Sequence, residues 1–483
     1  MEFVDLKPQP GETVVDYSIL GGSNARRGHK LFLTGLALLA VALVYLTYQA
    51  NVRDIFHLYL GLIMFSLAVT PSLLWARGGG SRFPVFETIL LLTANAYAIP
   101  VLNGHEQLIN YSPDVITRSC LAVILYQLSA IATYQMVTGL PGRARFWRES
   151  LIPNRAEKFV VYGLISSTAY IWISTFTTWV PDGMISILRA VFYGVGILCS
   201  FVSAQRWGRG ELTQTEKTVL VCTLVPQLII MSIGLILISA ISLLGIALLG
   251  YLSGGKRIPW LVIVPAFALI AVLHAGKTQM REKYWEQKLP QPTWSELPAY
   301  FSEWFEYGLL PTGEGKTASQ KMLERTSLMH ILCLIVDYTP ARQDYLYGKT
   351  YGYVLPQLIP RLFWPDKPRS HIATYELSIY YGLQQEEDTA TTTIAFGLLT
   401  EAYANFGMAG ALMLGMFWGF WLKKLQLWST FSPMFSFAGL LMVLLTAWAF
   451  SAELTMAAWV SSLEQAVIVV LGVPLLLRSL FGL

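Results

Sequence analysis

The sequence predicts an all-α polytopic membrane protein with about twelve transmembrane helices and one long external loop that carries short helices. Apolar residues make up 54% of the 483-residue chain and charged residues 13%, about half the charged share of a typical globular protein. Apolar runs of roughly 20 residues, each long enough to cross a bilayer, recur almost from end to end. The net charge of +4 is modest and its Lys and Arg residues concentrate in particular loops, which indicates membrane topology and not nucleic-acid binding.

The first part of the chain predicts a transmembrane bundle over residues 30–275, with about nine spans. Arg26, Arg27 and Lys30 precede the first apolar run, so the N-terminal tail, 1–29, is expected in the cytoplasm. The predicted spans of this bundle are 31–48, 56–75, 84–102, 115–138, 159–180, 184–203, two crossings within 218–252, and 258–275.

The run 218–252 is too long for one comfortable crossing and short for two. Two crossings place Lys256 and Arg257 in the cytoplasm and the later segment 276–393 outside, whereas one crossing inverts every later loop. We favour two crossings, because they keep the basic residues inside.

The C-terminal region, 394–483, predicts three more spans, 394–422, 434–450 and 456–477, with both termini inside. Gly407, Ala411, Gly415 and Gly419 recur every fourth residue on the first of these helices. Small residues at that spacing let another helix approach closely, so we interpret this stripe as a packing surface.

The external segment, 276–393, interrupts the bundle near its C-terminal third. The chain lacks the internal repeat by which many transporters are recognised, and this asymmetry favours a protein whose work is done by an external loop resting on the bundle. The four cysteines show no Cys-x-x-Cys spacing, and no Asp-x-Asp, Gly-x-Ser-x-Gly or His-Glu-x-x-His motif is present. We therefore expect neither a metal nor a cofactor.

A stiff cationic stretch, LIPRLFWPDKP, occupies residues 358–368 of this segment. Prolines restrict its backbone and deny it helical hydrogen bonds. Arg361, Lys367 and Arg369 lie beside Trp364. Such a cluster is either a solvated loop or, at the outer leaflet, a site for a lipid diphosphate, which Arg binds in bidentate fashion and Lys as a point charge. Trp364 is itself a candidate sugar contact or a marker of the membrane interface.

A short apolar stretch, 326–336, follows Arg325 and is too short to span, so it predicts an interfacial or re-entrant helix. His330 is a candidate catalytic residue on this helix, the alternative being a satisfied helix histidine. Asp337 is two turns away, roughly 10 Å along the axis, which is too far for a direct hydrogen bond.

Glu401 and Asn405 lie one turn apart on an otherwise apolar helix near the outer end of its span. An ionisable residue in that position is expensive and points to function. The competing interpretation of Glu401 is a structural partner for one of the arginines.

Four stretches together resemble the oligosaccharide repeat-unit polymerases of the O-antigen polymerase (Wzy) type. They are Arg325 with the Thr-Ser that follows it, YLYGKTY at 345–351, IPRLFWPDKP at 359–368 and GLLTEAYANFG at 397–407. The region they mark, 325–407, is about a sixth of the chain, and the remainder agrees only in hydropathy.

The resemblance implies a GT-C-like, metal-independent, inverting glycosyltransferase of the bacterial inner membrane with a periplasmic active loop. It implies transfer of a growing glycan from its polyprenyl diphosphate carrier onto a lipid-linked repeat unit, building O-antigen, capsule or exopolysaccharide. The expected partners are the polyprenyl-diphosphate-linked oligosaccharide and the lipid bilayer. A chain-length-regulating copolymerase and a flippase are candidate protein partners.

Under this hypothesis the cations bind the diphosphate, Glu401 or His330 accepts the proton of the attacking hydroxyl, and Trp364, Tyr351 and Asn405 contact sugar. The diphosphate-binding cations are Arg325, also a candidate catalytic residue, with Arg361, Lys367 and Arg369; His371, Glu376, His105 and Glu106 are further candidates. A ligase that passes the same glycan to a lipid A core, and a lipid-linked oligosaccharide flippase, remain alternatives.

Overall fold

The computed structural model describes residues 25–78, 83–139, 156–177, 182–235, 237–254, 259–287, 289–309, 327–359, 366–390, 393–430, 436–451 and 453–464, with the single positions 179, 364, 432 and 467. The predicted N-terminal tail therefore lies mostly outside the described residues, as does the second half of the predicted span 456–477.

The regular elements in this part of the chain are helices. They are α1 (Ala25–Gln49), α2 (Ile55–Arg77), α3 (Val85–Leu102), α4 (Pro113–Met136), α5 (Ala156–Phe176), α6 (Asp182–Arg209), α7 (Gln214–Ile233), α8 (Leu237–Ser253), α9 (Trp260–Arg281), α10 (Leu297–Leu309), α11 (Met329–Tyr338), α12 (Ile372–Tyr380), α13 (Leu398–Ser429) and α14 (Phe437–Ala449), followed by helical residues 456–464.

Eight helices in the described part of the chain are long and apolar enough to cross a membrane. The chain is thus an all-α polytopic membrane protein, as its hydropathy predicts. The eight candidate spans are Gly28–Gln49, Ile55–Arg77, Val85–Leu102, Pro113–Met136, Lys158–Phe176, Gln214–Ile233, Trp260–Trp285 and Leu398–Ser429.

The ambiguous run 218–252 folds as two helices, α7 and α8. A turn at Gly234 and Leu235 separates them, and Leu235 has a left-handed φ of 57°. Helix α8 packs closely along α6, since a Cβ on Gly250 would come within 2.4 Å of the carbonyl oxygen of Phe201. The division into two helices agrees with two crossings, which themselves stay a prediction.

The chain divides into two compact units, each with its own core. Among the described residues, 25–139 and 327–467 belong to unit 1, whereas 156–309 belong to unit 2. The long segment predicted to be external is therefore shared between the two units.

Unit 2 buries an aromatic cluster where α10 packs against α9. Tyr300 and Trp304 are buried, and each gives its polar hydrogen to a backbone carbonyl, Tyr300 to Ile233 at 2.9 Å and Trp304 to Leu273 at 2.7 Å. The helices approach closely because Gly276 lacks a Cβ, which would lie 2.6 Å from the carbonyl oxygen of Trp304. Large aromatic residues are stable here because their polar tips find partners.

Unit 1 is built around the parallel packing of α13 along α4. A Cβ on Gly415 would lie 2.4 Å from the carbonyl oxygen of Tyr126, and one on Gly419 would lie 2.4 Å from that of Ala130. The predicted packing stripe is confirmed at these two glycines. Gly407 has a different role, because its φ of 58° and ψ of −139° break the helix.

Candidate functional site

The break in α13 leaves backbone carbonyls that the segment 345–350 satisfies. The carbonyl oxygens of Ala404 and Asn405 accept hydrogen bonds from the N–H groups of Leu346 at 3.0 Å and Tyr347 at 3.1 Å. In a continuous helix those carbonyls would pair with residues four positions later. The break at Gly407 therefore fastens two stretches of chain that are far apart in sequence.

Asn405 holds the same contact with its side chain. Its Oδ1 accepts from the N–H of Gly348 at 2.9 Å, and its Nδ2 donates to Oγ1 of Thr350 and to the carbonyl oxygen of Glu401, both at 2.8 Å. Asn405 is wholly buried. Both of its N–H donors are thus used within the protein, and its predicted contact with sugar stays a prediction.

Glu401 lies one turn before Asn405 and is also wholly buried. Its Oε2 accepts a hydrogen bond from the N–H of Met456 at 2.6 Å, and Thr350 lies beside the carboxylate. Its Oε1 has no hydrogen-bond partner among the described residues. A buried carboxylate oxygen left in this state is costly, so its presence favours a functional role.

The short helix α11 is attached to an irregular turn of α3. Residues Ala94–Ala98 form a π-turn, and the carbonyl oxygen of Ala96 accepts from the N–H of Leu328 at 2.9 Å. Helix α11 has 10 residues, about 15 Å in length, and cannot span a bilayer. The predicted short helix is confirmed; most of its residues are buried, in contact with α4 and α13.

His330 on α11 meets a histidine from the loop after α3. Its ring stacks on that of His105, with 5.4 Å between the centroids. Burial, and secondarily the charge that His105 can carry, lower the pKa of His330 to about 4. His330 is therefore neutral near pH 7 and is a weaker base than an ordinary histidine. Asp337 pairs with Arg342 at 3.2 Å.

The cationic stretch is described only in part, since Arg325 and Arg361 lie outside the described residues. Lys367 is buried, and its ammonium donates to the carbonyl oxygens of Ile359 at 2.7 Å and Gln357 at 3.1 Å. These hydrogen bonds tie Lys367 to residues 357–359, and its burial leaves it little accessible to a ligand in this conformation. Arg369 is exposed, and Trp364 is 39% exposed.

Two of the remaining predicted residues, Tyr351 and Glu376, lie at or contact the segment 345–351, and His371 precedes α12. The ring of Tyr351 stacks on Phe406, just before the break, with 6.3 Å between centroids. Glu376 forms an ion pair with Lys349. Burial lowers the pKa of His371, which precedes α12.

Tyr347 and Thr350 also belong to the site, although neither was predicted as an individual site residue. Tyr347 is 74% exposed and has a left-handed φ of 47°, which a bulky residue rarely adopts. The motif YLYGKTY includes both residues, but its letters give no sign of a left-handed tyrosine. The buried contact of Thr350 depends on a helix more than 50 residues later.

Comparison with protein-family models finds none that matches the chain, and no curated protein or solved structure matches it. Its function must therefore be inferred from the geometry of the site and from the motif resemblance.

Proposed function

We propose that the protein is a membrane glycosyltransferase that polymerises polyprenyl-diphosphate-linked oligosaccharide repeat units on the periplasmic side of the bacterial inner membrane. One observation carries the proposal: two of the stretches on which the motif resemblance rests, 345–351 and 397–407, are hydrogen-bonded to each other beside buried Glu401. The finer fold that accompanies this proposal has about twelve spans, a GT-C-like arrangement and both termini in the cytoplasm.

The charges of unit 1 support an external site. Lys423 lies 4.7 Å over the ring of Tyr134, and Lys424 donates to the carbonyl oxygen of Thr138. These contacts join the C-terminal ends of α13 and α4, whereas Glu401 lies near the N-terminal end of α13. Because basic residues mark the cytoplasmic side, these two lysines support a site on the opposite, external side.

The proposed reaction is a single in-line displacement at the anomeric carbon of the donor. The acceptor hydroxyl forms the new glycosidic bond, the bond to the diphosphate breaks, and the configuration inverts. Glu401 accepts the proton of the hydroxyl as general base. Exposed Arg369, with Arg325 and Arg361 as predicted partners, offsets the charge that develops on the departing diphosphate, so no metal is needed.

Glu401 must become accessible for this step, and residues 453–456 are one of the segments that contact it. The N–H of Met456 holds its carboxylate, and the carbonyl oxygen of Glu453 accepts from Gly397, the residue before α13, at 2.9 Å. Movement of residues 453–456 would release both contacts. We propose that these residues open to admit the acceptor and close again over it. Closure of such a lid excludes water from the reaction in other enzymes.

The test is elongation by the purified protein. Lipid-linked repeat units, extracted from source cells that lack the gene, are supplied to the full-length protein in nanodiscs, and the products are separated on a gel. A ladder of increasing length is expected. If the protein forms no ladder under conditions that keep it folded, the polymerase proposal falls.

The same gene deletion separates the alternatives in cells. Loss of a polymerase leaves surface glycan of one repeat unit. Loss of a ligase leaves long polymer on the polyprenyl carrier, and loss of a flippase leaves lipid-linked units on the cytoplasmic face. Either of the last two results would contradict the proposal.

A further inference from the structure

Tyr347 is exposed and has a backbone conformation that is unusual for a bulky residue. Its side chain is 74% exposed, and its φ of 47° is left-handed. Glycine would fit this backbone without strain, and Gly348 follows directly with a φ of 91°. Strained, exposed residues persist where the surrounding structure holds them, and they concentrate at ligand-binding sites.

Hydrogen bonds to α13 hold Tyr347 in this conformation. Its own N–H and that of Leu346 donate to carbonyls before the break in α13, and the N–H of Gly348 donates to Oδ1 of Asn405. Asn405 in turn donates to the carbonyl oxygen of Glu401. Two hydrogen bonds through Asn405 therefore connect the backbone of Gly348, next to the exposed tyrosine, to that of the candidate general base.

Tyr347 contacts one aromatic ring among the described residues, and a charged pair that borders Tyr353 begins two residues later in the chain. The ring of Tyr345 stands edge-on at 6.1 Å, and the exposed ammonium of Lys349 pairs with Glu376. Tyr380 donates to the carbonyl oxygen of Asp344 at 3.0 Å. Tyrosine supplies rigid contact area with an apolar face and a polar edge.

We infer that Tyr347 and Tyr345 form a stacking subsite for a sugar ring of the acceptor glycan, with Lys349 and Glu376 beside it for its hydroxyls. A pyranose presents an apolar C–H face and a polar rim, which match an aromatic ring bordered by an ammonium and a carboxylate. The identity of the ligand as a glycan rests on the proposed function. A simple membrane anchor would need neither the left-handed backbone nor the adjacent ion pair.

The probe is the repeat-unit oligosaccharide released by mild acid from lipid-linked intermediates of the source cells. Its binding to full-length protein in nanodiscs is titrated by saturation-transfer difference NMR, and its KM as added acceptor is measured in the elongation assay. The variants are Tyr347→Ala and Tyr347→Gly. Tyr48→Ala is the control, because Tyr48 is 86% exposed and lies at the end of α1 predicted to be external.

Both Tyr347 variants are expected to weaken binding roughly tenfold or more, as loss of a central aromatic contact does. Their KM should rise by a similar factor while kcat stays within about twofold. Tyr347→Gly should also raise the thermal midpoint Tm, because glycine relieves the left-handed strain. Tyr48→Ala should bind and react as the wild type does.

Wild-type affinity in both Tyr347 variants would overturn the subsite. So would equal weakening by Tyr48→Ala, which would indicate a general interfacial role, or a lowered Tm in Tyr347→Gly, which would indicate a structural one. If the wild type binds the oligosaccharide through Tyr347 but never elongates it, the polymerase proposal falls and the subsite stands. If the wild type elongates the oligosaccharide and both Tyr347 variants do so with an unchanged KM, the subsite falls and the polymerase proposal stands.

Discussion

Unit 1 and unit 2 solve the same problem, helix packing in a membrane protein, in different ways. Unit 2 closes α9 on α10 with aromatic residues whose polar tips bond to backbone carbonyls. Both units contain a π-turn, in α3 of unit 1 and at Glu282–Glu286 directly after α9 of unit 2, but unit 1 also has a break within α13 at Gly407 and the short buried helix α11. Irregular backbone at that depth is stable only where it is enclosed by protein or lines a cavity.

The two units also differ in buried charge. Among the described residues, the buried side chains of Asp, Glu, Lys and Arg are Glu87, Lys367 and Glu401, and all three belong to unit 1. Burying a charge costs free energy that packing does not require. Under the proposed function, this difference supports placing the site in unit 1, and four measurements would break or sharpen that comparison.

The largest effect is expected for Glu401→Gln, which should slow elongation roughly 10²–10⁴-fold through loss of the general base. The amide oxygen of glutamine still accepts from Met456, so Tm should change little. The rate of ladder formation measures the effect. Glu303→Gln is the control in unit 2, where Glu303 pairs with Lys283. Full activity in Glu401→Gln would make this carboxylate structural.

Gly415→Leu should destabilise unit 1 by roughly 4 kcal/mol or more, because its Cβ would meet backbone that cannot shift easily. The readout is the folded fraction after detergent extraction, with Tm by tryptophan fluorescence. Gly250→Leu should have a similar effect in unit 2, since close helix packing is common to both units. Gly352→Ala is the control, because its Cβ would meet open space; a normal Tm in Gly415→Leu would refute the packing.

Asn405→Ala should cost about 2 kcal/mol, because it leaves the N–H of Gly348 and the hydroxyl of Thr350 without their partner. Hydrogen exchange should accelerate at residues 346–348 and stay unchanged in α5–α10 of unit 2. Asn103→Ala, at the exposed end of α3, is the control. Unchanged protection at 346–348 would mean that backbone bonds alone hold this segment.

The smallest effect concerns His330 and pH. Its folded pKa of about 4 lies below its ordinary value of 6.5, so between these values the unfolded chain binds more protons than the folded one. The contribution of neutral His330 to the free energy of unfolding is therefore fully present above about pH 6.5. It decreases as pH falls towards 4, by roughly 1–2 kcal/mol at pH 5. Tm against pH measures this slope.

His330→Gln should flatten that slope, whereas His29→Gln, at an exposed position on α1, should leave it unchanged. An equal slope in wild type and His330→Gln would show that other groups govern the acid sensitivity.

Much of the fold is readable from hydropathy, because the lipid selects long apolar helices wherever they occur. The spans 31–48, 56–75 and 115–138 were predicted close to their observed positions. The packing role of Gly415 and Gly419 was also predictable, since their spacing places them on one helix face. Gly407 shares that spacing but breaks the helix. The break was not predictable, because local periodicity does not show that the distant segment 345–350 replaces the helical hydrogen bonds.

The candidate site was only partly predictable. Glu401 and Asn405 are conspicuous because polar residues on an apolar helix are expensive, and hydropathy detects them. That Asn405 bonds to the segment 345–350, or that His330 stacks on His105, depends on groups far apart in the chain. Lys367 was predicted to bind a ligand, but its ammonium donates to the carbonyl oxygens of Gln357 and Ile359 in the same stretch of chain.

The amino-acid order by itself determined which segments are apolar enough to enter the bilayer and which polar residues are too costly there to be incidental. The tertiary structure alone decided which of those polar groups are hydrogen-bonded within the protein, as both N–H donors of Asn405 are, and which are buried without such a partner among the described residues, as Oε1 of Glu401 is. The physical reason is range. Hydropathy and helical periodicity are properties of neighbouring residues, whereas a hydrogen bond in a water-poor interior is decided by whichever distant segment the fold brings to it.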